Sequence, residues 1–475
     1  MRKFKFLLTL VVLVMSIAAL GAVPAAAQEK CTKETPCQID IWIIFSDHRY
    51  DWAVDAGNRF MEKHPEFKIN FVQQKSYDES IKNYVLAKEQ NQVPTIVQTY
   101  EIGTQFSLDS GYFKFADDII AGRKDVLGEP VNFEDILPVI RNYYTVDGKW
   151  ASVPWNTSTA ITYSNMDILN KVGITEPPKT WGETMADCAL LQPLVDSKEI
   201  DGCATWEIDD WYFEQWMAQQ NELFANNDNG RSGRATEIRV DSEGALNIMK
   251  FYQDMYAKKY FVYTGLGKNG SGQVFSSGKA AITINSSAGA RGIMAAAAEQ
   301  KMNIVTSPLI YNEAKGYTGN ILGGATMWVS DGLDKEVEDG AMAFLLFFSN
   351  TENAASWHTA SGYVAIRQSS LDLLTNLKPG NDILWNITDK KREDIPGTNW
   401  FESNPAFATA TNQLNASKDT PATRGALLGT FVETRPIINA ATEDLMLNGG
   451  DPAAYMAKVK VQLDQMLQEY NDLHS

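Results

Sequence analysis

The sequence predicts an α/β fold in two lobes, and two observations carry that expectation. The chain has 475 residues, 44% of them hydrophobic, which is too long for one ordinary core and too apolar for a disordered chain. Between Ile39 and Gln98, short apolar strands alternate with amphipathic helices in β-α-β-α-β order, the pattern of a parallel sheet covered by helices.

Ile39 to Ile44 reads as a strand, and Trp52 to Lys63 as a helix with Val54, Ala56, Phe60 and Met61 inward and a stop near Pro65. Phe67 to Val72 alternates as a strand, Asp78 to Lys88 is helical, and Pro94 to Gln98 is a third strand. Lys149 to Thr162 is extended. Thr180-Trp181-Gly182-Glu183 is a capping box, in which the Thr side chain and the Glu satisfy each other's orphan amides. Gly244 to Lys258 and Ser287 to Gln300 are helices, with a strand from Ala280 to Ile284 between them. Val337 to Phe348 has one strongly apolar face, and Thr351 to Ala360 is a helix ended by Gly362. Asp451 and Pro452 form an N-cap and first-turn pair for the last helix. No short-period repeat or low-complexity segment is present.

Composition excludes several roles. Lys plus Arg is 42 and Asp plus Glu is 59, a net charge of −17, which repels phosphate backbones and excludes nucleic acid as a partner. Arg2, Lys3 and Lys5 precede an apolar run from Phe6 to Ala22, then Pro24 and Ala25-Ala26-Ala27. This is the pattern of a cleaved signal peptide over residues 1–27, and it predicts a periplasmic or extracellular protein. An uncleaved anchor is the alternative; the small residues and Pro at its end argue against it. Four Cys follow in the exported part. Three connectivities are possible, and the pairs near in sequence, Cys31 with Cys37 and Cys188 with Cys203, are expected.

Catalytic signals are scarce. Gly265, Gly267 and Gly270 spell G-x-G-x-x-G, but neither a good strand before it nor a good helix after it supports a dinucleotide site. No P-loop Lys, H-E-x-x-H or G-x-S-x-G occurs, and the four His are scattered. No metal, cofactor or catalytic residue is therefore expected, and an exported α/β chain of this kind reads as a binder.

Specific stretches then narrow the class. Gly148-Lys149 with Val153-Pro154-Trp155-Asn156, Tyr163 to Asn165, Pro177-Pro178-Lys179-Thr180-Trp181, and Val274-Phe275 with Gly278-Lys279-Ala280-Ala281 occur in the order seen in the family-1 solute-binding proteins of ABC importers, which the chain resembles from about Ile39 to Tyr470. Within that family, Tyr100-Glu101-Ile102-Gly103, Asn156 to Thr159, Leu322 to Ala325, Trp357-His358 and Ser361-Gly362-Tyr363 are most similar to glycerol-3-phosphate-binding members. Ser164 and Ala365 depart from the usual Tyr and Pro, and Cys188 to Asn229 matches poorly.

The resemblance implies a periplasmic-binding-protein fold, two α/β lobes with a hinge and an interlobe ligand cleft. It implies an N-terminal lobe of residues 28–152 and 287–329 and a C-terminal lobe of 153–286 and 330–475. It implies a small-molecule ligand, glycerol 3-phosphate or a glycerophosphodiester such as glycerophosphocholine, passed by a monomer to a membrane ABC permease. Tyr77, Glu101, Ser158, Ser286, Gly324, Tyr363 and Arg435 should line the cleft. Arg435 offers a planar, always-charged fork for the phosphate; a structural salt bridge is its blander role. Ser286 precedes an Ala-rich helix and suits either an anion or a plain N-cap. Gly324 lets a ligand approach backbone amides, and the tyrosines combine an O–H with an apolar wall. Glu101 cannot face a phosphate and is expected at the glycerol end. Trp206 and Trp211, beside Glu207, Asp209 and Asp210, are candidates for a cation–π cage around a quaternary ammonium; packing in a core is the alternative.

Overall fold

The computed structural model describes residues 30–267 and 270–474. The expected leader, 1–27, lies outside them. Along the chain, β1 (Cys37–Ile43), α1 (His48–Lys63), β2 (Phe67–Gln73), α2 (Tyr77–Glu89), β3 (Ile96–Tyr100) and the short β4 (Phe113–Lys114) come first. β5 (Val153–Ser158), β6 (Ala160–Asn165), α3 (Trp181–Asp196), β7 (Gly202–Thr205), α4 (Asp210–Gln219) and α5 (Glu243–Ala257) follow. Then come β8 (Ala280–Ser286), α6 (Ala290–Gln300), β9 (Ile304–Pro308), β10 (Gly323–Ser330), α7 (Lys335–Phe348) and α8 (Thr351–Ser361). α9 (Pro405–Asn415), α10 (Phe431–Asn448) and α11 (Pro452–Leu473) close the chain.

The expected β-α-β-α-β start is present. β1 pairs in parallel with both β2 and β3. The first sheet runs β2-β1-β3-β10, and β4 and β5 share the far side of β10. The second sheet runs β7-β8-β6-β9. Two large clusters form the core, the first also taking in Ile161, Tyr163 and Ile304 from the second sheet. Ile39, Ile41, Trp52, Phe60, Phe344 and Trp357 belong to the first, and Trp216, Phe251, Ile282, Phe431 and Leu463 to the second. Local signals act as expected: Thr180 and Glu183 form the capping box, Gly362 ends α8 at φ 80°, and the Asp451 side chain caps α11 ahead of Pro452. Among the described residues no helix is long and apolar enough to cross a membrane.

The expected lobe boundaries are corrected at three places. The chain does not leave the first sheet at Val153: β5 pairs with β10 from Val153 to Ser158, so the crossing falls at Thr159. The extended run gives no warning, because β5 and β6 are both buried throughout and alternation does not change where the sheet changes. The return does not come at Ser287, since β9 pairs with β6 in the second sheet; it comes at Gly323. Nor does the chain leave for good near Val329, because α7 packs on α1 and β1 and α8 packs on α1. α9 is the first later helix on the second sheet, against β9 and β6, and α10 and α11 then pack on α5.

Both disulfides form in the expected pairing. Cys31–Cys37 leads into β1, and Cys188–Cys203 ties α3 to β7 across 15 residues. A loop of that size contributes about 3 kcal/mol on the chain-entropy account.

Candidate ligand cleft

A row of polar side chains is built where the two sheets meet. Ser76 caps α2 by accepting from the Glu79 amide at 3.1 Å, which sets Tyr77 in the first turn. The Tyr77 ring stacks on Tyr100 at the end of β3, 5.1 Å between centroids and 11° between planes. Its hydroxyl accepts from Asn156 Nδ2 at 3.0 Å, and Asn156 Oδ1 accepts from Gln98 Nε2 at 2.8 Å. Asn156 is fully buried on β5 and joins β3 to the cleft. Tyr363 comes in from the end of α8, stacked on Trp357 and edge-on to Phe45. The His358 ring, through Nδ1, donates to the Tyr363 carbonyl at 2.7 Å and fixes that backbone. Burial pushes both phenols up, Tyr77 well above its usual range, so each stays a neutral donor and acceptor.

Gly324 serves close strand packing, the alternative to the ligand approach expected there. It holds φ 103°, and a Cβ there would lie 1.8 Å from the Asn156 carbonyl oxygen. Only glycine permits β5 and β10 to pack this closely. Ser158 is buried opposite Gly323 in the same ladder. Ser286 ends β8 and caps the turn into α6, its Oγ accepting from the Ala288 amide at 3.2 Å.

Arg435 lies elsewhere than expected relative to Glu101. Its Nη2 donates to Glu101 Oε1 at 2.9 Å and its Nε to Glu214 Oε1 at 2.9 Å, with Asp210 Oδ2 3.8 Å away. The guanidinium and Glu101 therefore occupy one end of the cleft, not two. Burial disfavours the arginine's charge, but Glu214 and Glu101 outweigh it and hold Arg435 charged. Burial, with Glu214 beside it, pushes the Asp210 carboxyl well above the usual carboxylate range. One guanidinium thus faces three carboxyl groups, all pushed up by burial, so its charge is already matched by acids of the protein.

The tryptophan pair divides. Trp206 is 1% exposed, packed among Trp216, Phe251, Tyr252 and Phe261, with its Nε1 donating to the Tyr252 hydroxyl. It is a core residue of the second lobe and does not line the cleft. Trp211 lies against the second crossing: its Nε1 donates to the Leu322 carbonyl at 3.4 Å, and its ring fills the space a Cβ on Gly323 would need. Sequence reasoning missed Asn156 and Glu214, and it read Asp210 as an acid beside the tryptophans, not as a neighbour of Arg435. Asn156 stood inside a quoted motif; Glu214 carried no local signal. Among the described residues no group of three His, Cys, Asp or Glu is placed to hold a metal ion.

The sequence profile described as bacterial extracellular solute-binding protein matches residues 55–380. The chain belongs to this family. Two relatives of this solute-binding protein bear the name sn-glycerol-3-phosphate-binding periplasmic protein UgpB. That of Yersinia pseudotuberculosis is 28% identical over 421 residues, covering 87% of this chain and 88% of its own. That of Escherichia coli is 27% identical over 421 residues, covering 87% and 89%. Among solved structures, UgpB from Mycobacterium tuberculosis in complex with glycerophosphocholine superposes with a TM-score of 0.70 at 19% identity, over 91% of this chain and 99% of that one. The acarbose-binding GacH receptor of Streptomyces glaucescens gives a TM-score of 0.70 at 16% identity, over 91% and 99%. The fold of this solute-binding protein is that of the periplasmic binding proteins.

Proposed function

We propose that this protein is the exported substrate-binding component of an ABC importer, taking glycerol 3-phosphate or a glycerophosphodiester into a closing cleft and delivering it to a membrane permease. One observation carries the reading. Tyr77, Glu101, Asn156 and Tyr363 from the first sheet and its helices meet Ser286 and Arg435 from the second, so a ligand touching all of them ties the lobes together. The resemblance of the sequence to relatives named for glycerol 3-phosphate supports the ligand class. The acid-rich surroundings of Arg435 favour a second reading, a neutral sugar held by its hydroxyls, in which Arg435 is structural.

Calorimetric titration of the mature chain against sn-glycerol 3-phosphate, glycerophosphocholine, glycerol and maltose separates the two. Binding of a phosphate ester, with a smaller radius of gyration on saturation, is expected. Binding of maltose with none of either phosphate ester would establish the sugar reading.

A further inference from the structure

A chamber of about 600 Å³ opens beside Tyr363 and Ser286. Asp47, His48 and Arg49, at the start of α1, line it from the first lobe, and Arg291 on α6 from the second. It touches two of the predicted contact residues, so it continues the cleft beyond them.

Its charged groups are balanced differently from those at Arg435: two arginines and one aspartate line it. Arg49 is forked onto Asp47, Nε to Oδ1 at 2.9 Å and Nη2 to Oδ2 at 2.7 Å, and lies 4.4 Å over the Phe45 ring. That grip fixes the guanidinium and uses up one carboxylate. Arg291 is half-buried and donates to the Thr359 carbonyl, and among the described residues no carboxylate comes within ion-pair distance of it. Burial pushes the Arg291 guanidinium below its usual value, the direction expected of a cation short of a counter-charge. The His48 imidazole is pushed down as well, by burial against the pull of Asp47 and with the push of both arginines, so it adds no charge at neutral pH. Two guanidiniums against one carboxylate leave the chamber with one net positive charge, in a chain whose net charge is −17.

Planar guanidiniums on two facing walls suit a tetrahedral oxyanion, and the volume leaves room for an ester substituent beyond it. We infer that this chamber receives the anionic group of the ligand, with Arg291 supplying the charge and Arg49 the Nη1 edge that Asp47 leaves open, while the acid-lined end at Arg435 receives hydroxyls. The inference rests on the phosphate-ester reading above and specifies where the phosphate lies.

The test uses the full mature chain and two variants. Arg291→Gln removes the charge. Gly292→Glu adds an acid to the chamber wall at an exposed helical position where a Cβ meets nothing within 4 Å. Each is titrated with sn-glycerol 3-phosphate and glycerophosphocholine at low and high salt, alongside melting temperatures. Arg291→Gln should weaken both ligands at least tenfold and flatten the salt dependence, with Arg291→Lys recovering most of the loss. Gly292→Glu should weaken them several-fold and leave the melting temperature unchanged. Wild-type affinity and salt dependence in a folded Arg291→Gln variant would overturn the inference while the phosphate-ester reading stands; if Arg291→Gln melts low, the same result with Gly292→Glu does so. A wild-type chain that binds neither phosphate ester would overturn both.

Discussion

Arg435 and Arg291 are the same side chain in two settings, and the contrast is between a charge already neutralised and one that is not. Arg435 touches Glu101 and Glu214 and has Asp210 nearby. Arg291 touches a carbonyl. An anion arriving at Arg435 meets a guanidinium already paired with Glu101 and Glu214 and must displace one of them. At Arg291 it meets an uncompensated cation. Desolvated charges stabilise a protein or bind a ligand according to what already surrounds them, so an arginine's presence in a cleft does not by itself mark an anion site.

The largest test of that contrast is Arg435→Ala. It leaves buried carboxyls without their cation, and should cost about 3–5 kcal/mol of stability in denaturant titration at pH 7. The loss should shrink at acid pH. The Glu101 and Glu214 carboxyls are already pushed up by burial against the pull of Arg435, and without it they rise further. A carboxyl with a raised folded pKa holds its proton where the unfolded chain has lost it, so its stability contribution falls as pH rises through that window. An Arg435→Ala variant of wild-type stability would mean the network is ornamental and the arginine free for an anion.

Trp206 and Trp211 offer a second pairing. Trp206→Ala opens a cavity in a packed core and should cost about 3–5 kcal/mol, affecting every ligand equally. Trp211→Ala should instead alter ligand preference, by about 0.5–2 kcal/mol if an ammonium group lies on its face. Equal loss of glycerol 3-phosphate and glycerophosphocholine by Trp211→Ala would remove Trp211 from head-group selection.

His358 gives an effect that is read only through pH. Complete burial pushes its imidazole down to about 4 from 6.5, against the hydrogen bond to Tyr363. The unfolded chain takes up the proton first as pH falls, so stability is lost between pH 6.5 and about 4, by about 3 kcal/mol in total. Denaturant titrations across that range should show the slope in the wild type and a flatter one in His358→Gln. Parallel curves would mean other groups dominate acid unfolding.

The elements around Ile39 to Gln98 were legible because a half-buried helix and a strand carry different periods, and caps such as Thr180 and Asp451 act within one turn. The disulfides were legible because each joins cysteines close in sequence. The lobe boundaries were not. β5 and β6 are buried on both faces, and nothing in their alternation says which sheet each joins. The partners of Arg435 were hidden for a related reason: Glu101 and Glu214 lie 334 and 221 residues away, and no local spacing connects them. Trp206 resembled a ligand-stacking residue because its neighbours in sequence are acids, whereas its neighbours in space are rings.

The first crossing has a mechanical consequence. Between β5 and β6 stands a single residue, Thr159, whose amide donates to Ser287 Oγ at 3.3 Å; Ser158 and Ala160 on either side are already strand. Its hydroxyl donates to the Ile321 carbonyl at 3.2 Å, beside the crossing that leads into β10, and its carbonyl accepts from the Ser287 amide at 2.9 Å. Two of the passages between the sheets are thus pinned side by side. A pair of plates joined this way has an axle where a looser design would have a leash, and its available motion is a swing with few torsions to share it. Such a geometry sacrifices reach and gains repeatability: each excursion returns the same side chains to the same places.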